Sequence, residues 1–420
     1  MDNPESRRIL VGMKFDSDII IVGGGLNGPA LALALADGGF TVTVIDALPA
    51  KARADDAFDG RGYALALASK HLLAAIGVWP DVAESSQPIN EVKITDGRAG
   101  EGPSPWMLHF NSDELAEGPM GYMVEDRYLY RAFQAGLKQH PQITQINGET
   151  VIAQEVGPAH VTIETEKGMA LTARILIGSD GRKSATATRA NIKRRGHDYD
   201  QTALVCAIEH DLPHNGIAHQ FFMPPGPLAI LPLPGNRSSI VWSETTEEAA
   251  RINALPDDEY LAYLRPRFGS FLGQIKLAGA RFTYPLNLTL ANSFIAPRLA
   301  LIGDAAHGVH PIAGQGLNLG LRDVGALAEV LIEAKRRGED IGAVDVLERY
   351  QAWRQFDTNT LAMATDGFNK LFSNDNAFLR VGRDIGLGVV NALPGLRQRF
   401  IREAAGLTGD VPKLLQGRQI

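Results

Sequence analysis

Apolar residues follow two rhythms along the chain. Unbroken β-branched runs at Ile19–Val22 and Thr41–Ile45 read as short strands buried on both faces. Between them, Pro29 to Asp37 carries an apolar helix pattern that Gly38-Gly39 stops. The same change of period recurs late. Leu299 to Ile302 is a strand, and after Gly316 the residues Leu317, Leu319, Leu321, Val324, Leu327, Ala328 and Leu331 recur at helical intervals, up to a basic stop at Lys335-Arg336-Arg337-Gly338. A further apolar helix is expected over Lys70 to Ile76, and Leu129 and Phe133 lie one turn apart on another.

The middle of the chain alternates instead. Val161 to Glu166 and Leu171 to Ile177 suggest a hairpin turning near Lys167-Gly168. Strand-like runs follow at Ala203–Glu209, His219–Met223, Leu228–Pro232 and Ser239–Glu244, while Gln87 to Phe110 is polar and rich in Gly and Pro, as an excursion into another domain would be. Helical patterns return over Val344–Thr360 and Leu361–Phe372. Ala377 to Ala405 then sets Arg380, Arg383, Arg397, Arg399 and Arg402 among apolar residues, a basic amphipathic tail suited to a membrane surface, a partner or the protein itself.

Composition narrows the class. With 420 residues, 45% of them hydrophobic and 21% charged, the chain is globular and long enough for two or three domains. A net charge of −7 offers no general attraction to nucleic acid, and the single Cys206 excludes an internal disulfide. The amino terminus lacks a secretory apolar run and no segment approaches the roughly 20 apolar residues of a membrane span, so a soluble or peripheral protein is expected.

Chemistry concentrates where the strands end. After Ile19–Val22 comes Gly23-Gly24-Gly25-Leu26-Asn27-Gly28, and Asp46 closes the second strand 18 residues after Gly28. Strand, G-x-G-x-x-G, helix, strand and acid form a dinucleotide-binding unit. Gly23 permits the tight turn, Gly25 lets the backbone approach a pyrophosphate, Gly28 lets helix and strand pack, and Asp46 can take ribose hydroxyls. Whether the nucleotide is FAD or NAD is not written in the unit.

The late strand ends at Gly303-Asp304, and the helix after it starts between Gly314 and Gly316. A carboxylate beside a helix amino terminus suits an anionic cofactor bearing a polyol. Asp304 could equally cap the next turn. Asp304, His307 and His310 are spaced closely enough to suggest a metal, but no HExxH helix or Cys set accompanies them, and no metal is expected.

The run GDAAHGVHPIAGQGLNLGLRD, residues 303–323, resembles the second FAD fingerprint of the aromatic-ring flavoprotein monooxygenases, and most closely that of the FAD-dependent ubiquinone-biosynthesis hydroxylases. Three further matches stand in the family's order: R-x-x-A-L-x-x-x-S from Arg61 to Ser69, the arginine after V-x-x at Arg127, and D-G-x-x-S from Asp180 to Ser184. The segment ending G-P-L-A-I-L-P-L at Leu233 resembles the same branch.

The resemblance implies a mixed α/β fold like that of para-hydroxybenzoate hydroxylase, a Rossmann-like FAD-binding domain with a mixed-sheet substrate domain. The FAD domain would comprise residues 16–85, 108–184 and 284–352, the β-rich domain 86–107 and 185–283, and a helical tail 353–420. It implies hydroxylation of a polyprenylated phenol by FAD, NAD(P)H and O2 through a flavin C4a-hydroperoxide, in the cytoplasm or at the inner-membrane surface beside a biosynthetic complex. Asp304 would hold the ribityl chain. His307, Pro311, Ala313, Gly314, Gln315, Gly316, Leu317 and Asn318 would face the isoalloxazine ring, with Arg61, Arg127, Asp180 and Gly303 also at the cofactor. His219, Phe221, Leu228 and Pro232 would line the substrate pocket.

Each assignment has an ordinary counterpart: a solvated helix-start arginine for Arg61, a surface salt bridge to Glu125 or Asp126 for Arg127, a common turn for Asp180-Gly181, sheet core for Phe221 and Leu228. No side chain is nominated as a general base. Hydroxylation of a soluble aromatic compound, a flavin-dependent reductase or oxidase, and a non-catalytic flavoprotein are the alternatives.

Overall fold

The computed structural model describes residues 15–53, 58–309, 314–355, 357–358 and 393–420. One sheet of six strands runs in the order Ile295–Ala296, Leu299–Leu301, Ile175–Gly178, Ile19–Val22, Val42–Asp46, Ile143–Asn147. All pairs are parallel except the first. Ile19, Ile20 and Ile21 are wholly buried, as an unbroken apolar strand covered on both faces must be.

From the central strand the chain first moves outward through Val42–Asp46 to Ile143–Asn147. It then returns to pair Ile175–Gly178 on the other side. That reversal opens a crevice at the carboxyl ends of the two inner strands, the place where open α/β sheets bind ligands. The expected hairpin forms between Val161–Thr165 and Ala170–Ala173, but its second strand stops there, and Ile175–Gly178 crosses into the parallel sheet.

The second large sheet has nine strands, built mainly from Glu91–Arg98, Gly102–Asn111, Arg194–His210, Ile217–Met223, Gly226–Leu233, Arg237–Thr245 and Phe282–Ala291. Several elements cross the expected domain limits, Gly102–Asn111 and His307–Gly308 of this sheet among them. Phe282–Ala291 pairs along Arg194–Val205 and so belongs to this sheet, whereas Gln87–Ile89 pairs with Gly121–Glu125 in a small sheet beside the first.

The two faces of the nine-stranded sheet pack differently. Leu204, Cys206, Ile208, Phe221, Met223, Leu228, Ile230, Ile240 and Trp242 form a core with the helices Thr246–Asn253 and Asp257–Phe268. Ala207, Ala218, Phe222 and Leu233, on the opposite face, pack with Leu67, Met123 and Ile401 from the dinucleotide unit and the C-terminal helix Pro394–Ala404. A strand's alternation decides between the faces, so one residue of displacement exchanges them.

His219 lies on the helix-covered face, its ring stacked on Phe221 and beside Phe271. Burial, with Lys93 nearby, pushes it from 6.5 down to about 4. Between those values the unfolded chain binds the proton that the folded chain refuses, so stability falls as pH drops through this window. The loss at pH 5 is roughly 2 kcal/mol. His219→Gln should therefore flatten the fall in unfolding midpoint between pH 7 and 5; an unchanged slope would show that His219 titrates normally.

Among the described residues no helix is long and apolar enough to cross a membrane. The basic tail packs onto the protein where it is described: Arg397 pairs with Glu114 and Arg402 with Glu117, while Arg399 is exposed. Arg380 and Arg383 lie outside the described residues.

Candidate functional site

The glycine-rich turn is held by close contacts that side chains would break. Gly23 has φ +116°, and a Cβ there would stand 2.1 Å from the Ser179 carbonyl oxygen across the crevice. A Cβ on Gly28 would stand 2.0 Å from the Gly23 oxygen, and one on Gly24 would meet the Asp46 carboxylate at 2.5 Å. Asp46 is buried under the turn and accepts the Leu48 N–H at 3.1 Å. Gly25 and Leu26 are partly exposed.

Asn27 begins the first helix, Asn27–Asp37, and is the wedge that joins the two motifs. Its side chain fills the space in which a Cβ on Gly303 or on Gly320 would stand 2.3 Å from its amide nitrogen, and its buried Oδ1 has no hydrogen-bond partner among the described residues. The dinucleotide turn, the Gly303-Asp304 turn and the long helix Gln315–Arg336 thus meet at one side chain.

Gly303 itself has φ +58°, and its N–H donates to Asp323 Oδ2 at 2.9 Å. The same carboxylate accepts His307 Nε2–H at 2.5 Å and Arg354 Nε–H at 2.8 Å. All three side chains are fully buried. Burial alone would raise the Asp323 carboxyl, but the charges and hydrogen bonds of His307 and Arg354 outweigh it and hold the group below its ordinary value. His307 is therefore fully buried, its Nε2–H given to Asp323.

Asp304 is at the open side of this turn, 40% exposed, with Oδ2 accepting Arg182 Nε–H at 3.0 Å. Pro311 and Ala313 lie outside the described residues, as does His310. Gly314, φ +65°, starts the long helix, and a Cβ on it would meet Ala64 Cβ at 3.0 Å. Gln315 and Gly316 are partly exposed, and a Cβ on Gly316 would meet nothing within 4 Å. Leu317 packs against the main core.

Asn318 is already saturated. Its Oδ1 accepts Ala66 N–H and the Ser69 hydroxyl at 2.8 and 2.7 Å, and its Nδ2 donates to the Ala64 and Gly314 carbonyls. It fixes the start of the long helix to the strand Gly62–Ala66. Its side chain is committed to protein rather than to a ring.

Arg61 pairs with Asp59 at 2.7 Å and Asp126 at 3.4 Å, and its guanidinium lies 5.5 Å from the Phe282 ring centre. Arg127 donates to Glu125 at 2.8 Å and to the Tyr128 hydroxyl. Glu125 is wholly buried and also accepts Arg237 at 2.9 Å from the other sheet, and the Arg127 and Arg237 guanidiniums lie 5.5 and 4.6 Å from the Phe58 ring centre. This bridge was not foreseen, because its members are 112 residues apart. Asp180 caps the short helix Ala185–Arg189, accepting from the Ser184 hydroxyl and from Thr186 N–H and Oγ1–H.

The expected pocket residues lie on the helix-covered face of the nine-stranded sheet. Phe221 and Leu228 are in the core under the two helices, His219 pairs with Ile230 of that core, and Pro232 opposite Ser238 shares the face by register. Facing the dinucleotide unit instead is a row across five strands, Val205, Val241, Ala229, Gln220 and Ile94, each directly paired with the next and each partly exposed. Both faces are apolar because both are covered, so hydrophobicity alone could not separate them.

The residues fit a flavin dinucleotide. The first helix and the long helix both begin without a side-chain cap and without an acidic residue in the first turn, leaving their N–H groups for an anion or ring edge. The Gly23 and Gly28 approaches leave backbone at the crevice, and one oxygen of Asp304 has no partner among the described residues. Among those residues no three His, Cys, Asp or Glu side chains could hold a metal ion.

A family model described as an FAD binding domain matches residues 16–362. The chain is 43% identical over 404 residues to ubiquinone hydroxylase UbiL of Rhodospirillum rubrum, covering 96% of this chain and 93% of that protein. It is 35% identical over 395 residues to 3-demethoxyubiquinol 3-hydroxylase of Escherichia coli, covering 93% and 99%. In fold it is similar to p-nitrophenol 4-monooxygenase PnpA from Pseudomonas putida DLL-E4, with TM-score 0.78 and 19% identity over 95% of this chain and 100% of that one.

Proposed function

The chain belongs to the FAD binding domain family, and from that premise we propose that it is an FAD-dependent monooxygenase hydroxylating the aromatic ring of a polyprenylated phenol in ubiquinone biosynthesis. The relatives named as ubiquinone hydroxylases support the pathway, and O2 and a hydrophobic ubiquinone precursor are the substrates this reading requires. NAD(P)H is the reductant we assign. One structural observation carries the substrate class: the row Val205–Val241–Ala229–Gln220–Ile94 offers an apolar floor, with one amide in it, on the sheet face turned toward the dinucleotide unit.

FAD, when bound, supplies the reduction and activation of oxygen. The protein's own work is positioning. Gly23, Gly25 and Gly28 would let the backbone approach a pyrophosphate, Asp304 would take ribityl hydroxyls, and the start of the long helix, with its partial positive charge, would favour a negatively charged reduced ring. Arg61 and Arg127 stand at the seam between the sheets, where they would attract phosphate. A phenol's own oxygen activates its ring, so no side-chain base is required.

Incubating the protein with FAD, NAD(P)H, O2 and a short-chain prenylphenol should yield product heavier by one oxygen. NAD(P)H consumption that yields only peroxide would point to an oxidase. Ala229→Phe should lower product formation by about 10- to 100-fold by displacing the ring from the floor, with flavin content unchanged. Unaltered turnover in this variant would remove the row from the substrate site.

A further inference from the structure

We propose that Arg182 is a positioning residue for the cofactor: it holds the Asp304 carboxylate with one oxygen engaged and the other open to a flavin hydroxyl. The inference rests on the FAD reading above and concerns a side chain outside the G-x-G-x-x-G and Gly-Asp motifs.

Arg182 reaches Asp304 across 122 residues of sequence, with Nε–H donating to Oδ2 at 3.0 Å. Its side chain lies along Gly308, where an added Cβ would meet Arg182 Nε, Cδ and Cγ at 3.5–3.6 Å, and its terminal nitrogen reaches the Val309 carbonyl at 3.5 Å. A second arginine fixes the main chain from the other side. Arg194 donates to the carbonyls of Asp304, at 2.8 Å, of Ala305 and of Arg182 itself. Turn and guanidinium are therefore held in one frame, with the carboxylate set against the guanidinium.

A carboxylate has two oxygens and about four acceptor positions. Arg182 occupies one position on Oδ2, and Oδ1 has no partner among the described residues. The pair is about 40% exposed, so it adds little to folding stability. Its value lies in selecting a rotamer: binding weakens in proportion as the competent arrangement is less populated.

The test is a double-mutant cycle on the full chain stripped of flavin and titrated with FAD. Arg182→Met should weaken FAD binding by about 3- to 10-fold, with the apoprotein's thermal midpoint unchanged. In an Asp304→Ala background the same substitution should have no further effect. Equal losses in both backgrounds would show that Arg182 acts independently of Asp304. Tighter binding by Arg182→Met would show that Arg182 competes with the cofactor for the carboxylate. Either result, or unchanged affinity, overturns the proposal. A parent protein that binds no FAD would instead overturn the FAD reading, before any variant is compared.

Discussion

Asp323→Ala is expected to lower folding stability by about 3–5 kcal/mol, the cost of stranding charge inside a protein. The alanine would leave the Gly303 N–H, His307 Nε2–H and the fully buried Arg354 guanidinium without their common acceptor. Because Gly303 is one of the three, the turn that presents Asp304 loosens with the core, and FAD affinity should fall too. Asp323→Asn keeps the volume but must turn an N–H toward one of these donors, so it should also destabilise. Urea denaturation of apoprotein measures the effect, and a loss below about 1 kcal/mol would mean the network contributes little.

The same group sets an acid limit. Its folded carboxyl lies below its ordinary value. The stability it contributes is thus complete above the unfolded carboxylate range and is lost as pH falls toward the folded value.

Gly28→Val should abolish flavin binding, with purified protein colourless and affinity for added FAD reduced at least about 100-fold. The Cβ alone would lie 2.0 Å from the Gly23 oxygen and 3.4 Å from Ile21 Cγ2. Both are backbone or core, so relief requires the first helix to move away from its strand and to carry its uncapped end out of the crevice. An absorption spectrum and FAD titration decide it. A yellow protein with near-parental affinity would show that the crevice is not the dinucleotide site.

Much of this was legible because it is local. Turns at Gly23, Gly303 and Gly314 announce themselves by residue type, and strand ends beside helix starts follow from changes of period. What required the fold is nonlocal. Asp323 accepts from residues 16 and 31 positions away, and Glu125 joins Arg237 from another sheet. One sign was available: Asp323 stands four residues after Leu319 and four before Leu327, a charge on a helix face meant for the core. Such a position requires a buried partner. The pocket residues were hard to assign to a face for a different reason. In a sheet covered on both sides, adjacent residues such as Leu228 and Ala229 face opposite neighbours while sharing the same apolar text.

The Phe58 ring, approached by the guanidiniums of both Arg127 and Arg237 while Glu125 grips the same two, also acts as a strut. Both arginines share one buried carboxylate, so releasing either leaves that group without one of its partners. Drawing the two sheets apart at this corner therefore means breaking it outright.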